Sequence, residues 1–87
     1  MKTLVFDENC IGWTRNFDIN REFLKRIRSS LNEALINRGY VYLNQIYEYL
    51  YLAWNPDDEN ICYRKENGFI DMRFKPMDNG AILVEIH

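Results

Sequence analysis

The clearest pattern in the chain is an apolar stripe with helical spacing. Apolar side chains recur at intervals of three and four residues and fall within an arc of about 120°, the width of a core-facing helix stripe: Phe23, Leu24, Ile27, Leu31, Ala34 and Leu35. Asp18 or Asn20 is suited to cap the start of this helix, and Gly39 supplies the left-handed residue that commonly follows a helix end. The pattern therefore predicts one long helix over residues 19–38.

Shorter patterns flank this helix. Residues 1–6 alternate weakly, with Leu4 and Phe6 on one side and Val5 on the other, which predicts a short N-terminal strand. Tyrosine alternates with Val41 and Leu43 over residues 40–43, which predicts an extended segment after the helix. Asn44 is suited to cap a second, shorter helix that ends before Pro56 and carries on one side Leu43, Ile46, Tyr47, Leu50 and Trp54. Residues 7–17 remain open between a second strand and an ordered loop that places Trp13 on the core.

The first turn of the C-terminal part is predicted at Asn67-Gly68. This dipeptide is a strong hairpin signal, because a type I′ turn needs positive φ at both central residues. A two-residue turn here would pair residues 60–66 with 69–75 and set Arg64 opposite Asp71.

A second turn is predicted over Asp78-Asn79-Gly80. A three-residue turn with Gly80 in the left-handed position keeps apolar side chains on one face, whereas a two-residue turn would mix the two faces. The resulting pairs in strands 69–75 and 81–86 are Phe74 with Val84, Met72 with Ile86, and Arg73 with Glu85.

These elements predict an α+β fold in which one long and one shorter helix pack on a small antiparallel sheet with a C-terminal three-strand meander. A chain of 87 residues has room for one domain, 1–87. Aromatic residues make up 15% of it, and because each ring buries a large area they give a short chain a sizeable core. No apolar stretch approaches the roughly 20 residues of a membrane span, so we expect no membrane partner.

The net charge of −2 argues against a chain that binds nucleic acid through its bulk charge. One flank of the long helix is nevertheless basic, with Arg21, Lys25 and Arg28 in positions that could follow phosphates. Helix, turn, helix and hairpin is also the order of a winged-helix module. Against this, the second predicted helix contains no Lys or Arg. The other interpretation of the basic flank is a solvated helix face.

Catalytic and metal-binding patterns are missing from the sequence. The single histidine, His87, is the last residue, where chain ends fray. Cys10 and Cys62 match no metal or redox spacing, and without a recognisable signal peptide we expect both to be reduced thiols of a cytoplasmic protein. Asp57-Asp58-Glu59 lacks the spaced ligands of a calcium loop and predicts a solvated acidic turn. We therefore expect no enzyme, no cofactor and no metal.

Tyrosines crowd into a short segment around the second helix. Helical spacing places Tyr47 on the apolar stripe and predicts that it is core. The other members, which one helix and one strand cannot all turn inward, are Tyr40, Tyr42, Tyr49 and Tyr51. Amphipathic rings of this kind are enriched at protein interfaces, so these four predict either a protein-binding surface or the tyrosine-rich rim of a small core.

Three stretches carry a resemblance to a known group of proteins: Arg38-Gly39-Tyr40-Val41 with the following Leu43-Asn44 and Ile46-Tyr47, then Gly68-Phe69-Ile70-Asp71, and last Asp78-Asn79-Gly80-Ala81-Ile82-Leu83-Val84. Together they resemble an uncharacterised family of small proteins carried by phages, prophages and mobile elements of Gram-positive bacteria. The resemblance spans residues 36–86 and implies a cytoplasmic setting, with a Ser expected where this chain has Tyr42. It implies no activity and no catalytic residues.

The functional hypothesis from the sequence is a non-enzymatic accessory protein of a phage or mobile element. Its partner would be another protein, such as a host or defence factor, or itself in a homodimer. The alternative is a small nucleic-acid-associated, winged-helix-like module, and a virion or assembly component is a third hypothesis.

Overall fold

A computed structural model describes residues 1–87 and has seven main elements. Their order is β1 (Lys2–Phe6), α1 (Phe17–Arg38), β2 (Tyr40–Tyr42), α2 (Leu43–Tyr49), β3 (Cys62–Arg64), β4 (Met72–Pro76) and β5 (Ile82–Ile86). Short 3₁₀ turns at Pro56–Asp58 and Lys65–Asn67 lie on either side of β3. The predicted α+β class, with a long and a shorter helix against antiparallel strands, is confirmed.

The long helix starts slightly earlier than its apolar stripe. Its N-cap is Asn16, rather than Asp18 or Asn20, and the Asn16 side chain accepts bonds from the backbone N–H of Asp18 at 3.0 Å and Ile19 at 3.2 Å. Gly39 ends the helix in the left-handed conformation, with a φ of 87°. The predicted helix over 19–38 is thus confirmed and extended at its N-terminus.

The strands form two sheets. Strand β5 is the middle strand of a three-stranded antiparallel sheet with order β1-β5-β4, and β2 pairs with β3 in a separate two-stranded sheet. The β4–β5 register is the predicted one, with Phe74 opposite Val84 and Arg73 opposite Glu85. Gly80 has a φ of 84°, as the three-residue turn requires.

The predicted pairing of residues 60–66 with 69–75 is wrong. Strand β3 pairs with β2 instead, which sets Arg64 opposite Tyr40, and the third strand of the C-terminal sheet is β1. Residues Lys65–Asn67 form a 3₁₀ turn, and Gly68 follows with φ 91° and ψ −173°, which is not the geometry of a type I′ turn. The Asp71 side chain accepts a bond from Arg73 at 3.2 Å rather than facing Arg64.

Three asparagine side chains hold loops against the helices by the same two-bond contact. In each case the side-chain oxygen accepts the backbone N–H of one residue, while the side-chain amide donates to the carbonyl of that same residue. The pairs are Asn20 with Thr14, Asn32 with Ile70, and Asn44 with Asn55, at 2.7–3.2 Å. Because each contact satisfies both polar groups of one backbone residue, it replaces a rung of a β-ladder.

A single apolar core joins the helices to both sheets. It contains Phe6, Cys10, Leu24, Leu31, Leu35, Val41, Leu43, Ile46, Tyr47, Leu50, Ile70, Met72, Ile82, Val84 and Ile86. Residues 7–16 form a loop, not a strand, and Trp13 from this loop packs against the core. Trp54 does not belong to the core, because α2 ends at Tyr49 and the chain then leaves the helical stripe.

Candidate functional site

The surface around α2 begins at Tyr42, where strand β2 passes directly into the helix. Val41 and Leu43 are fully buried, whereas Tyr42 between them is 41% exposed, as predicted. Tyr42 occupies the N-cap position of α2, and its backbone N–H donates to Gln45 Oε1 at 2.8 Å. Asn44, predicted to be the cap, lies inside the helix and holds Asn55 instead.

Tyr40 and Tyr42 lie on the same exposed face of β2. Their ring centroids are 5.6 Å apart in an edge-to-face arrangement, which is a favourable geometry for two aromatic rings. The Arg38 guanidinium lies 5.7 Å from the centre of the Tyr40 ring. These contacts orient two half-exposed rings toward solvent next to the start of α2.

The end of α2 places Tyr51 in an unusual backbone conformation. The N–H of Leu52 donates to the carbonyl of Tyr47 at 2.8 Å, and the N–H of Tyr51 donates to that of Glu48 at 3.0 Å. This is a Schellman motif, whose left-handed position is commonly a glycine. Tyr51 holds that position with a φ of 59°, and its side chain is 60% exposed.

The remaining two tyrosines divide as predicted. Tyr47 is buried at 4% exposure and belongs to the core, which confirms the helical stripe. Tyr49 is 36% exposed and lies four residues after Gln45, so the two share a face of α2. Tyr40, Tyr42, Tyr49 and Tyr51 are therefore all partly or largely exposed, and the first two contact each other directly.

An open groove of about 390 Å³ runs between α2 and the segment that follows it. Its aromatic walls are Tyr42 and Trp54, the latter 61% exposed. Its polar walls are Asn44, Gln45, Glu48, Glu59 and Asn60. The two bonds between Asn44 and Asn55 hold the residue next to Trp54 against α2.

The residue before Glu59 is a buried carboxylate. Asp58 is 3% exposed, accepts a bond from the Tyr47 hydroxyl at 2.7 Å, and forms an ion pair with Lys2 at 2.9 Å. The bond from Lys2, then that from Tyr47, lowers the pKa of Asp58 despite its burial. Burial first, and the Asp58 carboxylate second, raises the pKa of Tyr47. The predicted solvated acidic turn is therefore wrong at Asp58, which anchors the turn to β1 and α2.

The basic flank of α1 is largely occupied by contacts within the chain. Arg28 Nη1 donates to the Met72 carbonyl at 2.9 Å, and its guanidinium lies 5.0 Å from the centre of the Phe74 ring. Lys25 forms an ion pair with Glu22 at 3.5 Å, and only Arg21 of the three predicted phosphate-binding residues is without a partner. The helix–turn–helix order is also interrupted, because β2 separates α1 from α2.

The remaining candidate groups are dispersed. Cys10 is buried, Cys62 is half-buried, and no disulfide joins them. Cys62 and His87 border the same hollow of about 310 Å³ without a hydrogen bond between them. No three His, Cys, Asp or Glu side chains converge as metal ligands. Neither helix combines the length and apolar character that would be needed to cross a bilayer.

Of the seven residues that line the groove, the sequence interpretation assigned only Tyr42 to the site. The charged and aromatic residues that it missed are Glu48, Trp54 and Glu59. Trp54 was missed because the helical stripe was extended past the true end of α2. The available signal was charge, since residues 39–63 contain four carboxylates and no Lys or Arg.

Comparison with known proteins identifies the family of the chain and no activity. The profile of a family of unknown function (DUF6353) matches residues 1–85. No curated protein and no solved structure matches the chain. Because that match covers nearly the whole length, the chain belongs to the DUF6353 family.

Proposed function

We propose that this chain is a non-enzymatic accessory protein of a phage or mobile element that binds another protein through the aromatic surface around α2. The observation that carries the proposal is the set of exposed rings that the core does not use: Tyr40, Tyr42, Tyr49, Tyr51 and Trp54. Aromatic side chains of low conformational entropy supply much of the binding energy at protein interfaces.

Two features favour a protein-binding surface over the alternative, in which the tyrosines form only the rim of a small core. Tyr40 and Tyr42 already pack edge to face, so little side-chain freedom remains to be lost on binding. Tyr51 holds its ring in solvent on a backbone conformation that disfavours side chains. The phage or mobile-element setting rests on the resemblance of the three motif stretches.

Affinity capture from bacterial lysate, followed by binding of the purified partner, tests the proposal. The paired change Tyr42→Ser with Trp54→Ala should abolish binding while leaving the melting temperature nearly unchanged, because both side chains are exposed. The matched control is Ile11→Ser with Phe69→Ser, which removes two exposed apolar side chains elsewhere. Equal binding by the α2 variant, or loss only in the control, would refute this surface.

A further inference from the structure

We infer that the groove between α2 and Trp54 recognises a basic side chain, Lys or Arg, presented by an exposed segment of a partner protein. The inference rests on the proposed protein-binding function and adds the chemistry of the partner. It is drawn from three observations: unpaired carboxylates in the groove, the charge of the surrounding chain, and the aromatic walls.

The carboxylates of the groove have no partner within the chain. Glu48 and Glu59 form neither an ion pair nor a side-chain hydrogen bond, whereas the four ion pairs of the structure use Glu22, Asp58, Asp71 and Glu85. An incoming ammonium or guanidinium group would therefore displace no internal cation.

The segment that lines the groove contains no cation of its own. Residues 39–63 hold four carboxylates and no Lys or Arg. Lys2 pairs with Asp58, and Glu48, Asp57 and Glu59 form no ion pair. Arg38 and Arg64 lie beside Tyr40 at β2, outside the residues that line the groove. A groove with unpaired carboxylates attracts a positively charged segment and disfavours an acidic one.

The walls of the groove suit the rest of a basic side chain. Tyr42 and Trp54 present rings on which a cation and its methylene stem pack favourably. A volume of about 390 Å³ is small, and open to one side, which fits one or two long side chains rather than a folded domain. An apolar side chain could fill the same space, but it would remove water from two carboxylates without supplying a hydrogen bond or a positive charge in its place.

Titration of ¹⁵N-labelled protein with short blocked peptides tests the inference. Glycine alternates in these probes with arginine, lysine, glutamine, leucine or glutamate. We expect the arginine and lysine peptides to shift the Trp54 indole N–H and the Gln45 and Glu48 amides, and salt to weaken the effect. The glutamine, leucine and glutamate peptides should bind about tenfold more weakly or not at all.

A variant that removes the two carboxylate charges of the groove provides the second part of the test. Glu48→Gln with Glu59→Gln should weaken binding of the arginine peptide about tenfold, while Glu33→Gln with Glu66→Gln, two exposed acids outside the groove, should not. Equal binding of the leucine or glutamine peptide, shifts that map elsewhere, or no binding of any basic peptide would overturn the inference.

Two further outcomes distinguish failure of this inference from failure of the proposed protein-binding function. If the Glu48/Glu59 variant keeps a captured partner that the Tyr42/Trp54 variant loses, the aromatic surface stands and the basic-side-chain assignment fails. Sedimentation should show a monomer. A dimer that the Glu48/Glu59 variant dissociates would mean that the groove binds a second copy of this chain, which also overturns the assignment to a partner segment.

Discussion

Tyr51 holds a left-handed position that the Schellman motif requires and that glycine commonly fills. A left-handed backbone costs a residue with a side chain about 1–2 kcal/mol relative to the right-handed region. Packing does not offset this cost, because the Tyr51 side chain is 60% exposed. An exposed ring at an unfavourable φ is what the proposed protein-binding surface would require of Tyr51.

Replacing Tyr51 by glycine should therefore stabilise the protein. We expect Tyr51→Gly to raise the free energy of unfolding by about 1 kcal/mol, and Tyr51→Ala, which keeps the unfavourable φ, to change it little. Both should weaken partner binding. Tyr49→Gly serves as the control: Tyr49 is the last residue of α2, where glycine relieves no left-handed strain, so stability should fall by up to about 1 kcal/mol. Urea unfolding measures all three, and a large loss in Tyr51→Ala would show that the ring packs on its own chain.

Asp58 should make stability depend on acid pH. Its pKa is lowered in the folded protein, so the folded state favours the carboxylate. The contribution is present above the unfolded value of about 3.9 and is lost as pH falls through the lower folded pKa.

The measurement is a set of urea unfolding midpoints from neutral to strongly acid pH. Asp58→Asn should be less stable at neutral pH and show a flatter acid limb than the natural sequence. Asp71→Asn is the matched control, because the Asp71–Arg73 pair is exposed and should contribute little. An acid limb in Asp58→Asn as steep as in the natural sequence would contradict the assignment.

At the scale of elements, sequence patterns correctly predicted the helix and the strand pair whose structure depends on residues close together in the chain. The apolar stripe and Gly39 predicted α1. The need to keep apolar side chains on one face, with Gly80 at positive φ, predicted the β4–β5 register. The predicted Asn67-Gly68 hairpin is wrong because the segment after the turn is held by a side chain of α1 instead of by β3. Asn32, on α1, satisfies both backbone groups of Ile70, so residues near Ile70 do not need β3 as a partner. No periodicity reveals a bond between residues this far apart in sequence.

Removing this two-bond contact should cost more than the half-buried position of Asn32 on α1 suggests. Asn32→Ala leaves the backbone N–H and C=O of Ile70, a residue only 2% exposed, without partners. Each unsatisfied buried group costs about 1–3 kcal/mol, so we expect a loss of at least that size in chemical denaturation. Asn37→Ala, an exposed asparagine on the same helix, should change stability by less than about 0.5 kcal/mol. Equal losses in the two variants would show that the contact contributes nothing.

At the scale of the whole molecule, the sequence predicted which tyrosines are exposed but not the groove they border. Spacing placed Tyr47 inside and Tyr42 outside because side-chain direction follows from local periodicity. The groove depends on where α2 ends, and it ends with Tyr51 in a position that commonly holds glycine, so no stop signal marks it. The position of Glu59 in the groove also depends on the contact of Asn44 with Asn55. Local sequence patterns do not predict that contact, because it joins residues eleven positions apart.

The distribution of charge also bears on the nucleic-acid alternative. Basic residues of α1 were the reason for the nucleic-acid alternative, yet Arg28 bonds to β4 and packs near Phe74. A guanidinium with these contacts contributes to the fold and is poorly placed to follow phosphates. Reversing its charge would also disturb β4, which makes it unsuitable for a binding test.

A cleaner test reverses Arg21, Lys25 and Arg26 to glutamate and keeps Arg28. We expect the natural sequence to bind mixed-sequence duplex DNA only weakly at low salt, and not measurably at physiological salt, because few phosphates can be neutralised and the net charge is −2. The triple variant should remove the residual low-salt binding, and Arg73→Glu, an exposed basic residue on β4, should not. Fluorescence anisotropy across a salt series measures this. Sub-micromolar affinity at physiological salt that the triple variant abolishes would place the nucleic-acid function ahead of protein binding.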